Sequence, residues 1–435
     1  MNGRDRAAKG SGRTTRREFL KAASASFAAV AVGVHWNEAH AAAPRVAVVG
    51  AGYGGATAAK YIRKWSGGRI EVTVVERETA FVSCPTSNLV IGGSRQLADI
   101  TVPFDGLAKW GVRMVRDEAL DIDPAARNVK LARGETLGYD RLILSPGVDF
   151  IYDDIPSLAS PEAQARVVHA WKAGPQTAAL RAQLEAMADG GVFAIHIPKA
   201  PFRCPPAPYE RACQVAHYFS TRKKKSRIIV LDANEEIQAK KAFFTGAWES
   251  LYKGYVDYRP NSALVDVDLA TRTLKLDFEN VVADVINVVP PQRAGAIARR
   301  LGMANANDRF CQVDFLTYES TAQRGIHVLG DAIQVAPLMP KSGHMANQHA
   351  KVCAAAVVAL LAGEEVNQAP VIANTCYSYV DDKQVGHVTS VHAYDRAQKT
   401  MLVVPGSGGL SLTANEEERV FAEAWARNIW ADMLM

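Results

Sequence analysis

From residue 42 onward the chain alternates short β-branched apolar runs with Ala-rich amphipathic stretches, separated by glycine, proline and polar residues. Arg45-Val46-Ala47-Val48-Val49 has no polar position after its first residue, the pattern of a strand buried on both faces. A helix is predicted over 56–65, a break at Ser66-Gly67-Gly68, and a second strand over 70–75 that ends at Glu76. The same skeleton returns as a strand over 192–197, a helix over 208–221 and a strand over 227–231. A long apolar helix should run from Ser342-Gly343 through Leu361. The segment 416–435 is amphipathic, with Val420, Phe421, Ala424, Trp425, Ile429 and Met433 available to one side. Strands alternating with helices in this way predict an α/β protein built on parallel sheets.

Length and composition extend this to several domains. The 435 residues are 48% hydrophobic and 22% charged, which excludes collagen-like, low-complexity and disulfide-dense scaffolds. The net charge of +5 suggests an acidic partner until its distribution is read. Residues 1–41 hold seven basic side chains against three acidic ones, so the remainder carries only +1. That segment has a basic start, an uncharged run over 22–34 and small residues at Ala39-His40-Ala41, as a targeting signal does. Within it, Thr15-Arg16-Arg17-Glu18-Phe19-Leu20-Lys21 resembles the twin-arginine export motif. The expectation is a folded, cofactor-loaded protein exported to the periplasm, starting near Ala42 and having no nucleic-acid partner. The run over 22–34 is too short to span a bilayer, and 352–363 fits a buried helix, so no stable membrane insertion is expected.

The first turn carries chemistry. Gly50-Ala51-Gly52-Tyr53-Gly54-Gly55 between strand and helix forms a dinucleotide fingerprint. Gly50 permits the tight turn, Gly52 admits a pyrophosphate and Gly55 lets helix and strand pack. Glu76 is placed to hydrogen-bond a ribose, with Arg77 beside it among the candidate cofactor contacts. Tyr139-Asp140-Arg141-Leu142-Ile143-Leu144-Ser145-Pro146-Gly147 resembles the strand and turn that close the first domain of two-dinucleotide flavoproteins. The run from Thr321 to Gly330-Asp331 resembles their second FAD motif. FAD is therefore the expected cofactor, with Gly147, Gly330 and Asp331 among its contacts. Lys341-Ser342-Gly343 opens the long helix, whose N-terminal N–H groups would face the electron-rich edge of a flavin. The second skeleton has a different turn, running from Pro198 to Pro208 with five prolines and no glycine. Proline removes the amides that would cradle a pyrophosphate, so this unit is expected to keep the fold without a nicotinamide site.

Six cysteines in an exported chain allow 15 full pairings, and spacing does not choose among them. There is no Cys-x-x-Cys-His for haem attachment and no zinc-like Cys/His spacing, so no metal site is expected. Cys213, Cys311 and Cys353 sit in helix- or strand-like apolar contexts and read as buried thiols. Cys84, Cys204 and Cys376 lie in loop-like or segment-opening contexts, with Cys204 in the proline-rich turn.

Longer arrays carry a more specific resemblance. Pro201-Phe202-Arg203-Cys204-Pro205-Pro206-Ala207-Pro208-Tyr209-Glu210-Arg211-Ala212, Val289-Pro290-Pro291-Gln292-Arg293-Ala294-Gly295, Met339-Pro340-Lys341-Ser342-Gly343 and Asn374-Thr375-Cys376-Tyr377-Ser378 resemble the flavoprotein subunit of flavocytochrome c sulfide dehydrogenase. The resemblance implies two Rossmann-like, glutathione reductase-like domains plus a C-terminal α+β interface domain. The FAD-binding domain would be discontinuous over 42–157 and 287–365, the second Rossmann-like domain would span 158–286, and the C-terminal domain 366–435. It further implies that Cys84 is bonded to the flavin 8α-methyl and that Cys204 and Cys376 form a redox-active disulfide. Glu210 would be a nearby acid/base and Trp425 an aromatic neighbour. Sulfide would be oxidised at that disulfide, and electrons would leave through FAD to the haem c of a partner cytochrome c subunit in a heterodimer. Two alternatives stay open: a sulfide:quinone oxidoreductase-like enzyme, and an accessory flavoprotein that reactivates other sulfur-oxidation proteins.

Overall fold

The computed structural model describes residues 42–435, and the expected export segment lies outside the described residues. Two parallel sheets form the frame. The first has five strands in the order Ile326–Val328, Arg141–Leu144, Arg45–Val49, Glu71–Val75 and Val112–Val115. Val46, Val48, Val72 and Val74 are fully buried, as the uninterrupted apolar runs require, and each such side chain stabilises the fold by roughly 1.5–3 kcal/mol. The helix Tyr53–Trp65 follows the central strand directly. Its approach depends on Gly55, where an added Cβ would stand 1.8 Å from the carbonyl oxygen of Gly50. Gly50 itself has φ +92° and a Cβ there would meet Ser145 O at 2.5 Å, so this corner tolerates only glycine.

The second sheet orders Val256–Arg259, Arg227–Asp232, Val192–Ile197 and Val285–Val288, again all parallel. The helix Ala207–Arg222 crosses over from its central strand, one residue longer at each end than the predicted span. The C-terminal part is antiparallel. Val371–Tyr379 pairs with Val385–Asp395, which in turn pairs with Thr400–Val403 and Gly409–Leu410.

Two helices join these parts. Gly343–Ala362 is capped by Ser342, whose Oγ accepts from Met345 N at 3.0 Å, and it buries Met345, Ala350, Cys353 and Val357 beside the first sheet. It is long and apolar enough to cross a membrane by length and composition, and much of its surface is core. The terminal helix Glu417–Leu434 buries Ile429, Met433 and Leu434 against the same core, and Asp432 bonds Tyr61, Asn347 and Lys351. The single apolar side expected for it is not continuous, because Val420 and Phe421 remain 56% and 52% exposed. Cys213, Cys311 and Cys353 are buried free thiols, as expected.

Candidate functional site

Both sheets present the C-terminal end of their central strand to one region, the usual place for a ligand in a parallel α/β sheet. Above the first sheet lie two adjoining cavities of about 530 Å³ and 380 Å³ that share Gly52, Glu76, Arg77, Ser145, Gly147 and Asp331. Gly52 opens the helix Tyr53–Trp65, and a Cβ at Gly52 or Gly147 would meet nothing, so free space stands where those backbones face the cavity. Asp331 Oδ2 stands 3.4 Å from Arg203 Nε, while its Oδ1 is buried without a hydrogen-bond partner. A helix N-terminus, a bare glycine turn and an orphaned carboxylate oxygen fit a dinucleotide that brings phosphates and hydroxyls. Glu76 lines the cavity, although its Oε2 already accepts from Ala51 N at 2.7 Å, so it also pins the glycine turn. Arg77 is at the cavity's exposed rim, paired with Glu78 at 3.6 Å.

A much smaller cavity, about 60 Å³, opens beside the large one through the shared residues Cys84, Pro85, Arg203 and Gly343. Cys204 and Cys376 both line it, together with Glu210, Trp171 and Trp425. Cys204 arrives on the proline-rich turn after Val192–Ile197. Its φ is +53°, its N–H donates to Lys341 O at 2.8 Å, and its carbonyl accepts from Ala207 N at 2.9 Å. Cys376 arrives on the strand Val371–Tyr379, which is tied to the start of the long helix at two points. Ser342 Oγ donates to Asn374 Oδ1 at 2.7 Å, and Thr375 N donates to His344 Nδ1 at 2.9 Å. The two cysteines lie close enough for each to act on the other's thiol, as the disulfide that the resemblance implies requires.

The pair is asymmetric. The hydrogen bond from Cys204, and then the charge of Lys240, hold the Cys376 thiol below its ordinary value against the opposing effect of burial. The same hydrogen bond and burial push Cys204 well up. Glu210 is buried, with Oε1 accepting from Tyr379 N at 2.9 Å and Oε2 from Asn88 Nδ2 at 2.7 Å. Burial raises its carboxyl despite those bonds, which suits a group that must hold and release a proton. Cys84 accepts from Ala173 N at 3.4 Å at the junction of the two cavities.

The Lys341 side chain turns away from the cavities. Lys341 lines neither cavity; its ammonium donates to Asp331 O at 3.0 Å and to Ile333 O and stands 3.7 Å from the centre of the Phe310 ring. A buried lysine needs acceptors, and the carbonyls of the Gly330-Asp331 turn supply them, so Lys341 braces that turn instead of facing a flavin. Burial pulls its ammonium down to about 7. Ser342 lines the small cavity and Gly343 both, so the helix N-terminus points at their junction.

Three side chains at the site were missed. Arg203 sits between the cavities and bonds Trp171 O at 3.0 Å. Arg211, fully buried, spends its donors on Asn88, His169, Ala170 and Asn287, framing Glu210. Both lie in the cysteine-bearing array, where two arginines among apolar residues were a readable signal. Lys240 lies in no motif.

Three family models match. One for the central part of the sulfide dehydrogenase [flavocytochrome c] flavoprotein chain covers residues 177–290, and one for the flavin-binding part of flavocytochrome c sulphide dehydrogenase covers 368–434. A pyridine nucleotide-disulphide oxidoreductase model covers 44–182. The sulfide dehydrogenase [flavocytochrome c] flavoprotein chain of Chlorobaculum thiosulfatiphilum is 61% identical over 46 residues, 11% of this chain and 94% of that sequence. The mitochondrial sulfide:quinone oxidoreductase of Dictyostelium discoideum is 20% identical over 303 residues, 66% of this chain and 65% of that one. The solved structure of the sulfide:quinone oxidoreductase of Aquifex aeolicus has the same fold, with a TM-score of 0.74 at 18% identity over 90% of this chain and 92% of that one. With the central model matching around Cys204 and the C-terminal model around Cys376, the chain belongs to the family of flavoprotein chains of flavocytochrome c sulfide dehydrogenase.

Proposed function

We propose that this flavoprotein oxidises sulfide at the Cys204–Cys376 pair in the periplasm and passes the electrons through FAD to a cytochrome c subunit. The observation that carries the reading is the meeting of two cysteines from separate sheets in a small cavity that opens onto the glycine-lined one. Residues 42–435 hold no haem-attachment motif, which is why a cytochrome partner is needed. Bound in the large cavity, FAD would take up two electrons and release them one at a time.

The chain's own residues supply the rest. In its oxidised, disulfide form the pair offers hydrosulfide an electrophilic sulfur, and attack on one sulfur expels the other as a thiolate. The small cavity, about 60 Å³, is large enough for an ion of that size. Glu210, raised by burial, exchanges a proton as persulfide forms or leaves. Cys84, which lines both cavities, would anchor the flavin covalently. Denaturation in acid should then leave yellow flavin on the polypeptide, and Cys84→Ser should release it; free flavin from the native chain contradicts the linkage.

The reading is tested with the purified chain and its cytochrome, where sulfide should reduce haem. Intact flavin with no haem reduction would favour an accessory role in reactivating other sulfur-oxidation proteins. Reduction of a quinone in place of haem would favour a sulfide:quinone oxidoreductase.

A further inference from the structure

Lys240 is a buried ammonium that the chemistry above does not use. It is 6% exposed, sits at φ +56° ahead of the helix Lys241–Ser250, and reaches the strand that bears Cys376. Its Nζ donates to Cys376 O at 2.8 Å, to Ser378 Oγ at 3.0 Å and to Gly386 O at 3.1 Å. All three acceptors are neutral, and among the described residues Lys240 makes no salt bridge to a carboxylate. A buried cation hydrogen-bonded only to neutral dipoles has no countercharge in direct contact, and one of those dipoles is the carbonyl of Cys376, whose own thiol can supply a negative charge.

The other ionisable groups around this pair come from four separate elements. Cys376 faces Cys204, Lys240 and Glu210; Lys240 faces Cys376, Glu210, Cys204 and Glu418. Arg203 favours a negative Cys204, but its guanidinium already stands against Asp331 and bonds Trp171 O. Glu210 disfavours a charge on either sulfur. Among the described residues Lys240 is thus the cation that acts on Cys376, and it is hydrogen-bonded to that residue's carbonyl.

We propose that Lys240 is a positioning residue that makes Cys376 the thiolate of the pair, so that hydrosulfide attacks Cys204 and expels Cys376. This rests on the proposed redox role of the pair. The electron pair of hydrosulfide forms a new S–S bond to Cys204 Sγ, the Cys204–Cys376 bond breaks, and its electrons leave on Sγ of Cys376, the residue whose carbonyl the ammonium bonds. Cys204 then carries the persulfide. The hydrosulfide sulfur is oxidised, the disulfide is the oxidant, and a proton stays on the persulfide or passes to Glu210.

The test uses the reduced full chain and a small thiol reagent, methyl methanethiosulfonate, with peptide mapping of Cys204 and Cys376 across a pH series. In the native chain Cys376 should be labelled first and at lower pH. In Lys240→Met its labelling at neutral pH should slow by about tenfold and its profile should move to higher pH. Lys240→Arg, which keeps the charge, should restore the native order. Labelling of Cys204 first in the native chain would overturn the proposal, as would an unchanged Cys376 profile in folded Lys240→Met. If Lys240→Met does not fold, the native order and Lys240→Arg decide the matter. A map of the oxidised chain that lacks a Cys204–Cys376 link would instead sink the redox reading while leaving the labelling order to be read.

Discussion

The two turns that follow the central strands, at Gly50–Gly55 and Pro198–Pro208, occupy the same place in two similar sheets and do opposite things. The first exposes backbone: Gly52 starts a helix into open space, and Gly55 lets that helix lie against the strand. The second exposes a side chain. Its prolines begin the helix Ala207–Arg222, and its one left-handed non-glycine residue is Cys204, held by a bond to the start of another helix. One strand end is arranged for a cofactor's phosphates and the other for sulfur chemistry. The fold position stays the same, and the residues of the turn choose the chemistry.

Breaking the first turn should have the largest effect. Gly55→Ala puts a carbon 1.8 Å from Gly50 O and should cost about 3 kcal/mol or more. The purified variant should hold little flavin; a normal flavin-to-protein ratio contradicts the packing argument. Breaking the second turn should spare binding and abolish chemistry. Cys204→Ser or Cys376→Ser should keep flavin and melting temperature but lower sulfide-dependent flavin reduction by about a thousandfold or more. Retained activity would make the pair structural. Glu210→Gln is smaller, because hydrosulfide and thiolate still react without it. A loss of about a hundredfold is expected, together with a flattened acid limb of the pH profile, and a rate that keeps its native pH dependence would remove Glu210 from proton transfer.

A pH effect on stability separates the frame from the site. His169, His196, His327 and His349 are buried, and burial lowers them to about 3, 4, 4 and 3. Each value lies below the ordinary 6.5, so the unfolded chain takes up these protons first as pH falls. Their contribution to stability is complete above about pH 6.5 and is lost towards about pH 3–4. Melting temperature should fall through that window; a flat profile would mean that these imidazoles gain partners when protonated.

Most of the frame was legible because its signals are local. The run Val46–Val49 and the spacing of Gly50, Gly52 and Gly55 are backbone requirements written in adjacent residues. Cys204, Glu210 and Cys376 could be picked out because long arrays surround them, and the structure brings all three to one cavity. What could not be read depends on where long side chains turn. Lys341 sits beside a helix start that faces the cavities, yet its four-carbon stem carries the charge to carbonyls behind it. Lys240 shows the reverse: it follows an unremarkable Gln238-Ala239, and only the pairing of the strands containing Ser378 and Gly386 builds its acceptors. Val420 and Phe421 likewise fit an apolar face by spacing but stay half-exposed.

The central claim is that sulfide reduces the flavin through the paired cysteines. Its most direct test is an anaerobic sulfide titration of the flavin-loaded native chain, read by flavin absorbance beside Cys376→Ser. Stoichiometric bleaching is expected in the native chain and none on the same timescale in the variant. Equal bleaching in both would contradict it.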